Sequence, residues 1–239
     1  MSTVLMIDIS HSMILYGEDR ITPAKKVAMA LSEYIRTRFP KDSLDILVFG
    51  DDAWPISIED LPYLQVGPYH TNTVAGLELA LSMLQKRRNP NKQVLLITDG
   101  KPTCIKKGKK YYKNPFGLDR AIMNRTLNLA TRFKKLNIPI TTFMIASDPY
   151  LREYVEMFTE ANQGKAFYSD LDQLGEFILR DYSSRKGKRY GIGQRLKYGA
   201  SRCVLTARIP TNHERNEASK LVDLREHHPG FCRCHDTAR

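Results

Sequence analysis

No apolar stretch in this chain approaches the roughly 18 to 20 residues that a membrane-spanning helix needs. Asp8 breaks the first apolar run and no basic segment precedes it, so the start does not read as a secretory leader. A cytoplasmic location is the resulting expectation. Only four cysteines occur in 239 residues, Cys104, Cys203, Cys232 and Cys234, too few and too unevenly placed for a disulfide framework in a chain this long. Cys232, Cys234 and His235, with His227 and His228 nearby, lack the C-x₂-C spacing of common zinc sites, which argues against a zinc cluster. There is no internal repeat and no glycine loop of the P-loop kind, so the chain is not expected to bind ATP that way.

What is present suits a folded protein. A hydrophobic content of 42% over 239 residues is enough to bury a full core of one main domain plus extras. Continuous apolar or β-rich runs at 4–7, 44–50, 53–58, 93–98, 138–146 and 165–168 read as strands. The run at 4–7 has the unbroken character of a central parallel strand buried on both faces, and Pro55 marks 53–58 as a sheet edge. Helical periodicity fills the intervals at 22–39, 72–88, 118–136, 149–161 and 171–182. Strands alternating with helices imply right-handed crossovers. The expected fold is α/β, a doubly wound, mostly parallel central sheet flanked by helices, with one short antiparallel edge strand.

The residues with chemistry sit where strands end. Asp8, Ser10 and Ser12 form a D-x-S-x-S turn directly after the first apolar run. Such a turn offers a hard divalent cation three oxygens while adding a single negative charge. Two further segments end or begin elements in the same way: Thr71 in His70-Thr71-Asn72-Thr73, and Asp99 in Thr98-Asp99-Gly100. In an open parallel sheet these positions converge at the carboxyl ends of neighbouring strands, where such folds bind ligands. An isolated Asp/Ser turn often only caps a helix. Three segments in this order and spacing are a much more specific signal. Thr73 is the alternative threonine, although its place at a helix start also suits a local cap.

These motifs resemble the von Willebrand factor type A (VWA) domain and its metal-ion-dependent adhesion site, over roughly residues 3–182. Met6 to Met13, followed by Gly17-Glu18-Asp19-Arg20-Ile21-Thr22-Pro23-Ala24-Lys25, is most similar to bacterial proteins related to the D subunit of magnesium chelatase. The resemblance implies a metal set of Asp8, Ser10, Ser12, Thr71 and Asp99, with the acids acting directly or through water. It also implies a hexameric AAA+ ATPase of the MoxR or chelatase I type as partner. In such pairs the VWA protein is an adaptor for metal insertion or client remodelling, and it often lies at the end of a longer chain. Oxygen-only ligands make Mg²⁺, Mn²⁺ and Ca²⁺ all chemically reasonable, with Mg²⁺ favoured by abundance and by the small number of charged ligands.

The formal charge of +11 is unevenly spread. Residues 1–182 hold 24 Lys/Arg against 21 Asp/Glu, whereas 183–239 hold 13 against 5. The domain itself is therefore not expected to bind nucleic acid; a basic-tail binder is the alternative. Ser183 to Arg189 reads as a basic linker and 190–239, poor in aliphatic clusters, as a flexible tail. One basic concentration remains in the domain, a loop carrying Lys101, Lys106, Lys107, Lys109, Lys110 and Lys113 with Tyr111, Tyr112 and Phe116. Beside a metal, that rim would favour an acidic ligand.

Mostly neutral hydroxyl ligands leave a cation electrophilic, open to a carboxylate supplied by a partner protein. Recognition of that kind needs no general base, whereas catalysis needs a base or nucleophile beside the metal. His11 and His70 are the nearby candidates, and a structural role suits each better. An aspartyl-phosphate type phosphotransferase is the enzymatic alternative; serines at 10 and 12 disfavour it, leaving Asp51 and Asp52 as the acids that would have to approach. The expectation is a non-enzymatic, cation-dependent protein-binding module.

Overall fold

The computed structural model describes residues 1–17, 19–99, 101–145, 149–168, 178, 182 and 183, all within one compact unit, Met1–Gly191. The expected helix over 171–182 lies outside the described residues except for Ile178 and Tyr182, whose side chains are buried. The linker beyond Ser183 and the tail at 190–239 lie outside them as well.

Six strands form the main sheet in the order β3-β2-β1-β4-β7-β8. They are β1 (Ser2–Asp8), β2 (Ser43–Phe49), β3 (Ala53–Ile56), β4 (Lys92–Thr98), β7 (Ile140–Met144) and β8 (Lys165–Tyr168). All neighbours run parallel except β3, which pairs antiparallel with β2 at the edge and carries Pro55. Every residue of β1 is buried, as an unbroken apolar run at the centre of a two-sided sheet requires. Its side chains alternate between two cores. Val4 and Met6 join α2 (Thr73–Lys86), α3 (Arg120–Lys135) and α4 (Pro149–Asn162) on one face, while Leu5 and Ile7 join α1 (Ile21–Arg38) on the other. Helices on both faces make the fold doubly wound.

The helices follow their apolar spacing. Ala24, Val27, Ala28, Leu31 and Ile35 put one face of α1 into the core. Asn72 is the N-cap of α2, its side-chain oxygen accepting from the Ala75 N–H at 3.1 Å, so the helix expected from 72 starts one residue later. Asp119 caps α3 by accepting from the Ala121 and Ile122 N–H groups. Among the described residues, no helix is long and apolar enough to cross a membrane.

Two departures from the sequence reading matter. The strand expected over 53–58 stops at Ile56, and Ile58–Tyr63 forms a 3₁₀ turn instead. The expected lysine-rich loop contains a hairpin, β5 (Cys104–Lys107) with β6 (Lys110–Lys113), paired Ile105 to Tyr112 and Lys107 to Lys110. Gly108 at φ +62° opens its two-residue turn, the conformation that glycine supplies at the first position of a type II′ hairpin.

The sheet order decides where a site can form. From β1 the chain moves to β2 on one side, then α2 returns it across the sheet to β4 on the other side of β1. The connections after β1 and β4 therefore leave in opposite directions, opening a crevice at their carboxyl ends. Asp8 closes β1, and Asp99 follows the last residue of β4.

Candidate metal centre

The structure brings all five sequence-identified residues to that crevice. The register pairs Ile7 with Ile97, so Asp8 lies level with Thr98 and Asp99 just beyond. Asp8 is fully buried; one carboxylate oxygen accepts from the Ser10 N–H at 2.9 Å and the other from the Thr98 hydroxyl at 2.7 Å. Ser10 Oγ lies 3.1 Å from Ser12 Oγ and accepts from the Thr71 hydroxyl at 3.0 Å. The Ser12 hydroxyl donates to Asp99. Thr71, rather than Thr73, is the threonine that joins the cluster.

Two acids in one buried pocket are electrostatically costly. Burial pushes Asp8 up to about 7, the negative charge of Asp99 adds to the rise, and the bonds from Ser10 and Thr98 oppose it. Burial likewise raises Asp99, against the hydrogen bond from Ser12 and the positive charge of Arg20. Arg20 Nη1 lies 3.6 Å from Asp99 Oδ2. The other oxygen, Asp99 Oδ1, is buried with no hydrogen-bond partner.

This donor set fits a hard divalent cation. It contains oxygen only, three neutral hydroxyls and two carboxylates. Six oxygens at about 2.1 Å around Mg²⁺ place neighbouring ligands about 3 Å apart, and the two hydroxyl spacings, 3.1 and 3.0 Å, match that edge. The orphaned Asp99 oxygen and the raised Asp8 are the two features that a bound cation would relieve. Among the described residues, no group of three or more His, Cys, Asp or Glu is placed to hold a metal, so a cation here would depend on the hydroxyls beside the two carboxylates.

Thr71 is held by its backbone. Its N–H donates to the Thr103 hydroxyl at 3.0 Å, and its carbonyl accepts from the N–H groups of Thr103 and Cys104 at 2.9 and 3.2 Å. The base of the hairpin is thus bonded directly to the Thr71 segment. On the other side, the Asn72 N–H donates to the Gly50 carbonyl and the Asn72 side chain to the Asp51 carbonyl, both at 2.8 Å. Gly76 allows α2 to lie close to β1, since a Cβ there would meet the end of Met6 at 2.7 Å.

Several residues missed in the sequence matter here: Thr98, Arg20 and Thr103. Arg20 lies 79 positions from Asp99, and no local pattern announces such a pairing. Thr98 carries a readable signal, because a hydroxyl ending the strand beside Asp8 can only point at it or at the opposite face. The two histidines are placed by their surroundings. His11 is exposed and its backbone N–H donates to the Tyr69 carbonyl at 3.0 Å; His70 Nδ1 lies 3.4 Å from Asp51 Oδ1.

The two acids considered for phosphoryl transfer face the hairpin. Asp51 accepts from the His70 N–H at 2.9 Å and from Lys113 Nζ at 2.6 Å. Burial alone would raise Asp51, but Lys113 and the His70 N–H together hold it below the usual carboxylate range. Asp52 accepts from the Tyr111 hydroxyl and lies 3.6 Å from Lys106 Nζ. The expected rim of six lysines is accordingly narrower: Lys106 and Lys113 are paired, and Lys101 donates to the Pro115 carbonyl at 2.6 Å. Tyr112 is half-buried, its hydroxyl donating to Asp119 at 2.9 Å.

Comparison with known proteins places this geometry in context. The family described as "Rv0959-like protein, vWA domain" matches residues 1–183. The uncharacterized protein Rv0959 of Mycobacterium tuberculosis (strain H37Rv) is 32% identical over 187 residues, which cover 76% of this chain and 27% of the relative. The match thus spans about a quarter of that curated relative's length. Among solved structures, the vWF domain of the type V pili tip protein Mfa5 from Porphyromonas gingivalis superposes with a TM-score of 0.62 at 12% identity, covering 82% of this chain and 98% of the other. The PilB minor pilin of Streptococcus sanguinis gives 0.59 at 15% identity, covering 78% and 61%. At those identities the likeness concerns the fold. The chain belongs to the Rv0959-like family of von Willebrand factor type A domains.

Proposed function

We propose that the domain is a non-enzymatic, divalent-cation-dependent protein-binding module. Asp8, Ser10, Ser12, Thr71 and Asp99 would hold Mg²⁺, with Mn²⁺ and Ca²⁺ as chemical rivals. A bound cation would supply an electrophilic coordination position that a carboxylate of a partner protein can fill. The observation that carries this reading is the hydroxyl row of Thr71, Ser10 and Ser12 at octahedral-edge spacing above two buried carboxylates.

The residues divide the work. Thr98 and the Ser10 N–H hold both oxygens of Asp8 in place, and Arg20 offsets part of the charge on Asp99. Ser12 is only half-buried and His11 beside it is exposed, so the crevice opens to solvent on that side. Names of fold-sharing proteins, a pilin and a pili tip protein, accord with a binding rather than a catalytic role.

The partner class follows from the resemblance of the first motif to chelatase D-subunit relatives: a hexameric AAA+ ATPase of the MoxR or chelatase I type, for which this chain would act as adaptor in metal insertion or client remodelling. Nothing in the site marks a porphyrin, so the broader adaptor role is preferred.

Calorimetric titration of Mg²⁺ and Mn²⁺ into chelator-treated protein tests the site. One-site binding that disappears in a folded Ser10→Ala, Ser12→Ala variant is expected; equal binding in both proteins overturns the assignment. Co-elution with a MoxR-type ATPase from the same organism in Mg²⁺ and ATP tests the partner. Complex formation that persists in the double variant, or no complex in the wild type, would overturn the adaptor role.

A further inference from the structure

The β5–β6 hairpin is built as a rigid platform with a cationic tip. One face carries Ile105 and Tyr112; Ile105 is buried and Tyr112 is tied to Asp119 at the start of α3. The other face carries Lys106, Tyr111 and Lys113, which engage Asp51 and Asp52 of the β2–β3 connection. With both faces held, the turn projects Lys107, Lys109 and Lys110 into solvent. Among the described residues, no carboxylate pairs with these three. Lys107 Nζ instead lies 3.8 Å from the centre of the Tyr112 ring, an arrangement that orders the ammonium without neutralising it.

The other end of the hairpin presents an apolar anchor. Phe116 is 87% exposed, the most exposed large hydrophobic side chain among the described residues. Its loop is nonetheless fixed: the Phe116 N–H donates to Asn114 Oδ1 at 3.0 Å, the Asn114 N–H to the Thr103 carbonyl at 2.8 Å, and Lys101 Nζ to the Pro115 carbonyl. Thr103 is also the residue that clamps Thr71. An exposed aromatic of this kind is enriched at protein contacts, and the lysines at the other end of the same element carry charge that can steer an oppositely charged partner.

We propose that this hairpin is a second reading element that docks an acidic segment of a protein partner, with Lys107, Lys109 and Lys110 facing its carboxylates and Phe116 packing against an apolar side chain within it. Charge complementarity selects the acidic segment. A nucleic acid would need a longer cationic track to reach successive phosphates. The position of the segment beside the metal centre rests on the cation-dependent reading above; the preference of the hairpin for acid does not.

The test is fluorescence anisotropy with a fluorescein-labelled Gly-Glu-Asp-Glu-Leu-Asp-Glu-Phe-Gly peptide and the full-length chain, each protein assayed in Mg²⁺ and in EDTA. A Lys107→Glu, Lys109→Glu, Lys110→Glu variant is compared with Arg132→Glu, Lys134→Glu, Lys135→Glu, which makes the same charge change at the exposed end of α3. The hairpin variant should lose about tenfold or more in affinity and the α3 variant less than about twofold. Phe116→Ala should lose severalfold, independently of salt. Equal losses in the two charge variants, or wild-type affinity in the hairpin variant, overturn the proposal. So does tighter hairpin-dependent binding of single-stranded oligothymidine than of peptide. A hairpin-dependent loss that is the same in Mg²⁺ and EDTA upholds the hairpin and counts against the metal reading; Mg²⁺-dependent binding untouched by the hairpin variant does the reverse.

Discussion

At the carboxyl ends of β1 and β4, Asp8 and Asp99 lie buried, close enough for the charge of Asp99 to raise the proton affinity of Asp8; at the tip of the β5–β6 hairpin, Lys107, Lys109 and Lys110 stand exposed around a two-residue turn. The floor of the crevice gathers residues from three separated stretches of chain, and it exists only because the sheet aligns them. The tip is contiguous in sequence and depends on one glycine. Buried charge must be paired or neutralised, which is what the proposed cation would do at the floor, whereas exposed charge remains available to a partner at little cost in stability. Thr103 joins the two regions through the backbone of Thr71.

The largest effect should come from undermining the floor. Leu5 is wholly buried beneath it, and Leu5→Ala should cost about 2–5 kcal/mol in urea unfolding, with Mg²⁺ affinity falling in parallel. If affinity is unchanged, the floor does not depend on β1 packing.

Titration of Asp8 sharpens the contrast next. Its carboxyl is lifted from 3.8 to about 7 in the folded chain, so the folded state holds that proton more tightly than the unfolded state. The associated stability is complete below about pH 4 and is lost as pH rises towards about 7. Melting curves in EDTA should show a component of Tm that declines from about pH 5 to about pH 8, disappears in Asp8→Asn, and is offset by Mg²⁺ more strongly at the higher pH. A wild-type profile identical to that of Asp8→Asn would refute the raised value.

Smaller effects separate the supports of the two regions. Asn72→Ala removes the cap of α2 and the bond to the Asp51 carbonyl, and should lower stability by about 1 kcal/mol while weakening Mg²⁺ binding through Thr71. Gly108→Ala forces a side chain into the left-handed region and should cost about 1 kcal/mol. Its loss should register as faster amide exchange in β5 and β6, leaving the melting of the main sheet almost unmoved. Lys109→Ala should change stability by less than about 0.5 kcal/mol and leave Mg²⁺ titration unaltered, yet reduce acidic-peptide affinity; an effect on Mg²⁺ would mean that the tip acts on the floor directly.

Much of the fold was readable because buried parallel strands are unbroken apolar runs and amphipathic helices carry a 3.6-residue period. Each main-sheet strand from Ser2–Asp8 to Lys165–Tyr168 falls within a few residues of its expected place. The hairpin was overlooked because its strands are four residues each and rich in lysine, although Gly108-Lys109 between Ile105 and Tyr112 is a turn signal. The basic rim is narrower than the six lysines of the loop for a different reason: Asp51 and Asp52, which engage Lys113 and Lys106, are more than fifty positions away from their hairpin partners.

The sequence by itself determined the alternation of strands and helices, the oxygen-rich turn at Asp8, Ser10 and Ser12, and the presence of Thr71 and Asp99 at element ends, since periodicity and residue chemistry are local properties. Only the tertiary structure decided that α2 carries the chain back across β1, that Thr71 rather than Thr73 meets Ser10, that Arg20 faces Asp99, and that the hairpin is bolted to the Thr71 segment. Those are contacts between residues far apart in the chain, set by sheet order and register, and no local pattern encodes them.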